Sequence, residues 1–245
     1  MLSEIRIGIE CDQEIGYYQA SNMQGILMEL IDRDYAEKLH TLNYNPYAQS
    51  VIGRDEKEWV IKTTTAEAFD KLIKPVINMD EFEVKKKQLQ LHVKSRELKQ
   101  CPKHALLEEF YSSDADRRLE VDFLTPTSFK KDGKYAIFPT VRLVFQSAMN
   151  KYAASSEEMD MFDEDTMEQI EKTVEIKEYR LKSCFFPLEG IRIPAFMGKV
   201  VFYVHGTETM AKYARLLLRF ADYSGIGIKN SMGMGMISFK GRGVK

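Results

Sequence analysis

The sequence predicts an α+β protein built from two ferredoxin-like domains in tandem. Its 245 residues suffice for two small domains with a core each. Strand-like and helix-like patterns follow the order β-α-β-β-α-β in the first half, and the same order returns in the second. Hydrophobic residues make up 44% and charged residues 29%, which is typical of globular proteins and excludes disordered and membrane classes.

The first half gives each element a local signal. Apolar residues at every second position predict a strand over 5–11, and helical spacing predicts a helix over 21–40, capped by Ser21 or Asn22. Strand patterns over 47–52 and 58–63 flank a glycine-containing turn and indicate a hairpin. A helix over 65–77 and a strand over 82–93 complete the predicted N-terminal domain, residues 1–100.

The second half repeats the pattern after a predicted linker, residues 101–116, and forms the predicted domain 117–245. A strand over 119–124 is broken by 125–130, and a helix over 139–153 begins at Pro139. An acidic block over 157–171 contains no basic residue and is expected to form a solvated helix or loop. Strands over 173–186 and 191–205, a helix capped by Thr207 and a strand over 234–239 follow.

A glycine-rich segment between the last helix and the last strand is the strongest functional signal. Its glycines can adopt positive φ and let a ligand approach the backbone closely. Its centre adds a cation and two hydrogen-bonding side chains, so the segment predicts a phosphate-binding loop. The candidate binding residues are Gly225, Gly227, Lys229, Asn230, Ser231, Gly233 and Gly235.

Several function classes lack their motifs. The glycine-rich segment follows a helix and precedes a strand, which excludes a dinucleotide fingerprint and a P-loop. The four histidines and three cysteines are scattered and show no metal-ligand spacing, and no serine hydrolase elbow occurs. The N-terminal residues lack a signal-peptide pattern and no apolar run is long enough to span a membrane, so we expect a cytoplasmic protein.

Charge and fold together point to RNA. The formal net charge is −2, but without the acidic block the rest of the chain is basic. The basic run Lys85–Lys87 is either a solvated face or a track for a nucleic-acid backbone. Because ferredoxin-like sheets are a common platform for single-stranded RNA, a phosphate-binding loop on this scaffold suggests an RNA-binding protein.

Four stretches carry a resemblance to a known family: residues 220–227 running into 233–235, residues 123–130, Phe138-Pro139, and Leu39-His40 with Asn45-Pro46-Tyr47 and Ser50. The chain resembles the CRISPR-associated endoribonucleases (Cas-six family) that cut repeat RNA into guides. This resemblance implies metal-independent cleavage without a cofactor, in which a 2'-hydroxyl attacks the adjacent phosphorus and leaves a 2',3'-cyclic phosphate and a 5'-hydroxyl. The implied partners are CRISPR repeat RNA (pre-crRNA) and a CRISPR interference complex, with the chain a monomer or homodimer.

The resemblance also assigns the catalytic histidine to His40. An imidazole suits this role because its ordinary pKa lets it take or give a proton near neutral pH. Relatives add a tyrosine and a lysine; Tyr35 supplies the first, with Tyr44 and Tyr47 as alternatives. Since no lysine lies between His40 and Lys57, that role falls to Arg54, Ser50 or a residue elsewhere. The rival hypothesis is a non-catalytic RNA-binding subunit of the same fold.

Overall fold

The computed structural model describes residues 1–112, 116–155 and 163–240. Within these ranges the chain forms a five-stranded sheet, a four-stranded sheet and a two-stranded sheet. Helices pack on the two larger sheets to enclose one hydrophobic core in each half of the chain. The structure confirms the predicted α+β class with two ferredoxin-like halves.

The N-terminal sheet has the order β2-β3-β1-β5-β4, with all neighbours antiparallel. Its strands are β1 (Leu2–Glu10), β2 (Tyr47–Ile52), β3 (Lys57–Thr63), β4 (Glu81–Val84) and β5 (Leu89–Cys101). Its helices are α1 (Ala20–Leu30), α2 (Arg33–Thr41), α3 (Ala66–Ala68) and α4 (Lys74–Val76), the last two joined by the π turn Phe69–Ile73. The β2–β3 hairpin and the helical segment near 65–77 follow the prediction.

The predicted single helix over 21–40 is wrong, because the chain breaks it into α1 and α2. Ile31 is extended, with ψ at 155°. Asp32 is extended as well, and its carboxylate accepts a hydrogen bond from the Tyr35 amide, which caps α2 at its own N-terminus. The break turns α2 into a separate element that carries His40 in its last turn.

The predicted strand over 82–93 is also wrong, because it is a hairpin of β4 and β5. The basic run Lys85–Lys87 forms the turn, and Gln88 closes it in the left-handed region with φ at 50°. The three lysines therefore project at a hairpin tip rather than along a strand, and Lys85 pairs there with Glu29 at 2.7 Å.

The C-terminal sheet has the order β11-β6-β10-β9. Its strands are β6 (Arg118–Thr127), β9 (Val174–Leu188), β10 (Ile191–Val204) and β11 (Ile237–Lys240), while β7 (Phe129–Lys131) and β8 (Lys134–Ala136) form the small sheet. The helices are α5 (Lys103–Ser112), α6 (Val141–Ala154), α7 (Glu164–Thr173) and α8 (Glu208–Ser224). Thr207 caps α8, as predicted, by accepting a hydrogen bond from the Met210 amide.

Two predicted boundaries in this half are wrong. β6 runs to Thr127 through the expected break, because the Leu124 amide and the Thr125 hydroxyl hydrogen-bond the backbone of Met236. The last strand begins at Ile237 rather than at residue 234, since Gly233 and Gly235 have positive φ.

The remaining expectations concern the linker and the acidic block. α5 lies in the predicted linker and packs on α8, where Arg215 and Arg219 donate to the Glu109 carboxylate. Residues 157–162 of the acidic block lie outside the described residues. The rest of the block forms α7, capped by Asp163. The domain boundaries at 100 and 117 stay a prediction.

Candidate functional site

The glycine-rich loop, residues 224–236, is held in shape by backbone conformations that favour glycine. Gly225, Gly227, Gly233 and Gly235 all have positive φ, between 68° and 111°. A Cβ atom on Gly235 would lie 2.0 Å from the Ile226 carbonyl oxygen, and one on Gly227 would lie 2.3 Å from that of Ser128. The glycines therefore allow the loop to fold tightly on itself and against β6.

The amides of these four glycines are already hydrogen-bonded within the protein, and the part that the loop plays in RNA binding stays a prediction. All four donate hydrogen bonds within the protein: Gly225 to Ala221, Gly227 to the Ser147 hydroxyl, Gly233 to Asn230 and Gly235 to Pro126. The pattern of glycines predicts positive φ correctly, but here that conformation serves packing.

Asn230 is also used internally. Its side chain is 8% exposed, and its amide nitrogen donates to the carbonyl oxygens of Ile226 and Met234, each at 3.1 Å. Its amide oxygen accepts from the Lys151 ammonium. Every hydrogen-bonding end of this side chain thus holds the loop together, so the structure does not present Asn230 to a ligand.

Lys151 is the buried cation that holds the loop, and sequence reasoning missed it. It lies on the inward face of α6, is 6% exposed, and donates to the Gly225 carbonyl oxygen at 3.0 Å as well as to Asn230. Burial lowers the pKa of Lys151 to about 7. Its position three residues after Ala148 on the apolar face is a signal that the sequence does contain.

Polar side chains of the N-terminal half hold the other side of the loop. Gln49 donates to the Ser231 carbonyl oxygen at 2.9 Å, and its own amide oxygen accepts from the Trp59 indole. The Ser50 hydroxyl, fully buried, donates to the Gly233 carbonyl oxygen at 3.0 Å. Ser50 therefore anchors the loop. Because its hydroxyl is already bonded to Gly233, it is poorly placed to act in place of the catalytic lysine, a role that the sequence left open for it.

The loop also meets the segment that carries His40. His40 is exposed in the last turn of α2. Asn45, five residues later, donates from its side-chain amide to the Ser231 hydroxyl at 3.3 Å. Ser231 itself is 7% exposed. The structure therefore brings the connection after His40 against the buried centre of the loop, while Lys229 alone among the loop's polar residues at 229–231 is exposed.

Comparison with known proteins places this arrangement in a family. A family model described as CRISPR-associated endoribonuclease Cas6 matches residues 121–237. The chain is 38% identical over 224 residues to a CRISPR-associated endoribonuclease Cas6 of Streptococcus thermophilus, covering 91% of this chain and 92% of that protein. The chain belongs to the Cas6 family. A Cas6 of Mycobacterium tuberculosis is 36% identical over 246 residues, covering 96% of this chain and 77% of that protein.

Solved Cas6 structures share the fold. A Cas6 product complex superposes with a TM-score of 0.82 at 20% identity, covering 98% of this chain and 99% of that one. Thermus thermophilus Cas6 superposes with a TM-score of 0.73 at 18% identity, covering 98% of both chains. The tandem ferredoxin-like architecture of this Cas6 protein is thus that of its relatives.

The three candidate tyrosines lie in different surroundings. Tyr35 is 3% exposed on α2, and five positions along a helix turn its direction about 140° from that of His40. Tyr47, 1% exposed in β2, accepts a hydrogen bond from Gln24 at 3.2 Å. Burial raises the pKa of both hydroxyls. Tyr44 keeps a partly exposed ring, with its hydroxyl held by the Asn150 amide at 3.0 Å.

A cleft of ≈ 1070 Å³ lies where the two halves meet. Its walls come from residues 14–18, the β2–β3 hairpin end, and β6, β9 and β10, and α2 supplies none of the described residues that line it. Arg54, the other candidate for the role of the catalytic lysine, lines this cleft, and His40 does not. Its cationic residues, against four acidic ones, are Arg54, Lys57, Arg118, Arg180, Lys182 and Lys199.

None of the histidines, cysteines and acidic residues in the described ranges forms a group of three or more that could hold a metal ion. Among the described helices, none is both long and apolar enough to cross a membrane.

Proposed function

We propose that this Cas6 protein cleaves CRISPR precursor RNA within its repeats to release guide RNAs. The observation that carries the proposal is 38% identity to a CRISPR-associated endoribonuclease over 91% of the chain. The site supports it, because an exposed imidazole stands directly before the segment that docks on the glycine-rich loop. The solved relatives include complexes described as product and substrate-mimic complexes.

The proposed reaction is an RNA transesterification. The 2'-oxygen loses its proton and forms a bond to the adjacent phosphorus, while the bond from phosphorus to the 5'-oxygen breaks. The products are a 2',3'-cyclic phosphate and a 5'-hydroxyl, and no water or metal ion enters the atom balance. His40 moves a proton between these oxygens, a task for which an exposed imidazole is suited near neutral pH.

Binding is proposed to depend on exposed cations. Lys229 at the loop and the basic residues of the cleft, above all Arg180 and Lys182, are exposed and would meet backbone phosphates. Lys229 itself has a left-handed backbone, with φ at 58°, between Gly227 and Gly233. In this proposal the protein is a monomer or homodimer. It acts on transcripts in the cytoplasm and passes its product to an interference complex.

A single-turnover cleavage assay in excess EDTA tests the function. Wild-type protein should cut repeat RNA at one site, and His40→Ala should lose cleavage by at least about a hundredfold while keeping its affinity. His92→Ala is the matched control, because His92 is also exposed but lies on β5 beside Glu81. Cutting by His40→Ala at the wild-type rate would mean that the active site lies elsewhere.

One structural feature favours the alternative, a non-catalytic RNA-binding subunit. Neither Tyr35 nor Tyr47 exposes its hydroxyl, so His40 stands without the helper that the sequence suggested at those positions. An RNA-binding subunit would bind repeat RNA in the same assay and leave it intact at every protein concentration.

A further inference from the structure

Lys151 places a buried positive charge directly behind the glycine-rich loop. The residue is 6% exposed, and its ammonium donates to the Gly225 carbonyl oxygen at 3.0 Å and to the Asn230 side-chain oxygen. Its pKa is lowered by burial alone, and within the described ranges no carboxylate forms an ion pair with it. Both of its partners are neutral, so the charge itself is unpaired there.

Holding the loop does not require a charge. Elsewhere in the loop neutral side chains bind the carbonyl oxygens: Asn230 donates to two of them, and Gln49 and Ser50 each donate to one. Burying an ammonium without an opposite charge is far less favourable than burying a neutral amide or hydroxyl. A neutral donor at position 151 would therefore hold the loop with a smaller loss of stability, and the positive charge needs an explanation other than packing.

The surroundings of Lys151 tolerate its charge but do not pair it. It lies in the last turn of α6, and Gly225 directly follows the last residue of α8, so the negative ends of two helix dipoles are close to it. The ionisable side chains that line a cavity of ≈ 420 Å³ together with Lys151 are Tyr35, Lys38, Tyr44 and Glu67. Lys38 and Glu67 pair with each other at 2.6 Å, and tyrosine hydroxyls carry no charge near pH 7.

Acids on the helices that pack against α6 have other cations as partners. Asp222 of α8 pairs with Lys62 at 2.9 Å. Glu164 and Glu171 of α7 both pair with Arg142, near the opposite end of α6 from Lys151. These acids are therefore neutralised by other residues, and the field of Lys151 remains available to a ligand.

The charge of Lys151 lies close to the exposed face of the loop. Asn230, which accepts from Lys151, directly follows Lys229, whose side chain is exposed. Because adjacent Cα atoms are only about 3.8 Å apart, a phosphate that meets Lys229 lies on the order of 10 Å from the buried ammonium. At an effective dielectric constant of about 20, attraction over that distance corresponds to roughly a tenfold gain in affinity.

We propose that Lys151 is a positioning residue for RNA binding: its buried positive charge, held behind the loop, attracts a backbone phosphate of the repeat RNA to the exposed face beside Lys229. This inference rests on the proposed function for the identity of the RNA. Lys151 acts through the loop and does not touch the phosphate. Because the attraction is reciprocal, a bound phosphate favours the charged form of Lys151, and RNA binding is coupled to proton uptake.

The coupling gives the pH dependence a definite sign. Burial lowers the pKa of Lys151 to about 7, so the side chain of the free protein is mostly charged at about pH 6 and mostly neutral at about pH 9. The neutral amine still has two N–H donors for Gly225 and Asn230, so it continues to hold the loop. A purely structural role would therefore give an effect on RNA binding that does not change with pH.

Titrations with repeat RNA from about pH 6 to about pH 9 test the proposal. All proteins carry His40→Ala, which removes the proposed cleavage and the titration of His40. Adding Lys151→Met, which keeps a side chain of similar length without the charge, should weaken binding roughly tenfold at about pH 6. At about pH 9 the Kd values with and without Lys151→Met should become equal, because the lysine is then neutral.

Calorimetry measures the proton directly. In two buffers of different ionisation enthalpy at about pH 8, RNA binding should take up about half a proton more with Lys151 than with Lys151→Met. Replacing a buried charge with an apolar side chain of similar size is usually neutral or stabilising, so the variant should fold. If it does not fold, the protein that retains Lys151 decides alone, and binding without proton uptake would overturn the proposal.

Ser50→Ala is the matched structural control. It removes one neutral hydrogen bond to the Gly233 carbonyl oxygen and no charge, so its effect on RNA binding should be the same at both ends of the pH range. A Lys151→Met effect that is equally constant with pH would show that Lys151 only packs the loop. Unweakened binding by Lys151→Met at about pH 6 would also overturn the proposal.

The outcomes separate this inference from the proposed function. If wild-type protein cuts the RNA but the effect of Lys151→Met is constant with pH, the role of Lys151 alone fails. If wild-type protein leaves the RNA intact but the effect disappears as the pH rises, the role of Lys151 stands and the catalytic proposal fails. Repeat RNA that does not bind at all would overturn both.

Discussion

Gly235→Ala tests the packing of the glycine-rich loop most sharply. Gly235 has φ at +68°, and an added Cβ would lie 2.0 Å from the Ile226 carbonyl oxygen and 2.4 Å from the Asn230 amide nitrogen. Neither neighbour is the loose end of a flexible side chain, because the first is backbone and the second is held by two hydrogen bonds. The substitution must therefore shift the loop itself.

The magnitude follows from two separate costs. A left-handed backbone costs an alanine about 1–2 kcal/mol. Moving the loop puts at risk the 2.8 Å hydrogen bond from the Ile226 amide to the Gly235 carbonyl oxygen and those of Asn230, each worth about 1 kcal/mol net. We therefore expect a loss of about 3–5 kcal/mol in the free energy of unfolding, a large part of the roughly 5–15 kcal/mol typical of a domain.

Urea denaturation measures this loss, and two other glycines separate its causes. Gly133→Ala has the same backbone strain, with φ at +77°, but no atom within 4 Å of the added Cβ, so it should lose only about 1–2 kcal/mol. Gly25→Ala lies inside α1 in open space and should gain about 1 kcal/mol. A Gly235→Ala protein no less stable than Gly133→Ala would refute the steric argument.

Three further outcomes follow. Burial lowers the pKa of Lys151 to about 7, so between that pH and the ordinary lysine pKa of 10.5 the folded chain binds fewer protons than the unfolded chain. The free energy of unfolding of wild type relative to Lys151→Met should therefore rise by up to about 1.4 kcal/mol per pH unit across this window in urea titrations. A difference that stays constant with pH would contradict the burial. Lys62→Met should lower the free energy of unfolding by about 3 kcal/mol in the same assay, because it removes the buried ammonium that pairs with Glu4 and Asp222, each 2.9 Å away. A loss below about 1 kcal/mol would show that these two ion pairs are not a structural link between the halves. Lys229→Ala should weaken RNA binding and lower its salt dependence by about one ion, with a smaller effect on the cleavage rate at saturation; the reverse pattern would make the loop catalytic.

Local patterns were sufficient to predict most elements of the fold. The Thr207 cap, the β2–β3 hairpin and the alternating strands predicted over 5–11 and 119–124 depend on neighbours in the sequence, and all appear in the structure. Errors occurred where a contact distant in sequence decides the outcome. β6 continues through residues 125–127 because Met236 pairs with it, and no local pattern reports a partner more than a hundred residues away.

The same distinction applies to the site. The glycine spacing correctly predicts a loop with unusual backbone conformations, and His40 lies exposed five residues before Asn45, which contacts that loop. The sequence does not show that Asn230 faces inward, because its partner Lys151 is contributed by α6, 79 residues earlier. Polar residue types in a loop suggest contact with a ligand, but here tertiary packing uses them to hold the loop in place.

The chemical identity of the cut ends tests the central claim most directly. Wild-type protein is incubated with its repeat RNA in excess EDTA, and the fragments are analysed by mass spectrometry. We predict an upstream fragment that ends in a 2',3'-cyclic phosphate, a downstream fragment with a 5'-hydroxyl, and neither product from His40→Ala. A 3'-hydroxyl with a 5'-phosphate, or cleavage that requires added magnesium, would contradict attack by the 2'-hydroxyl.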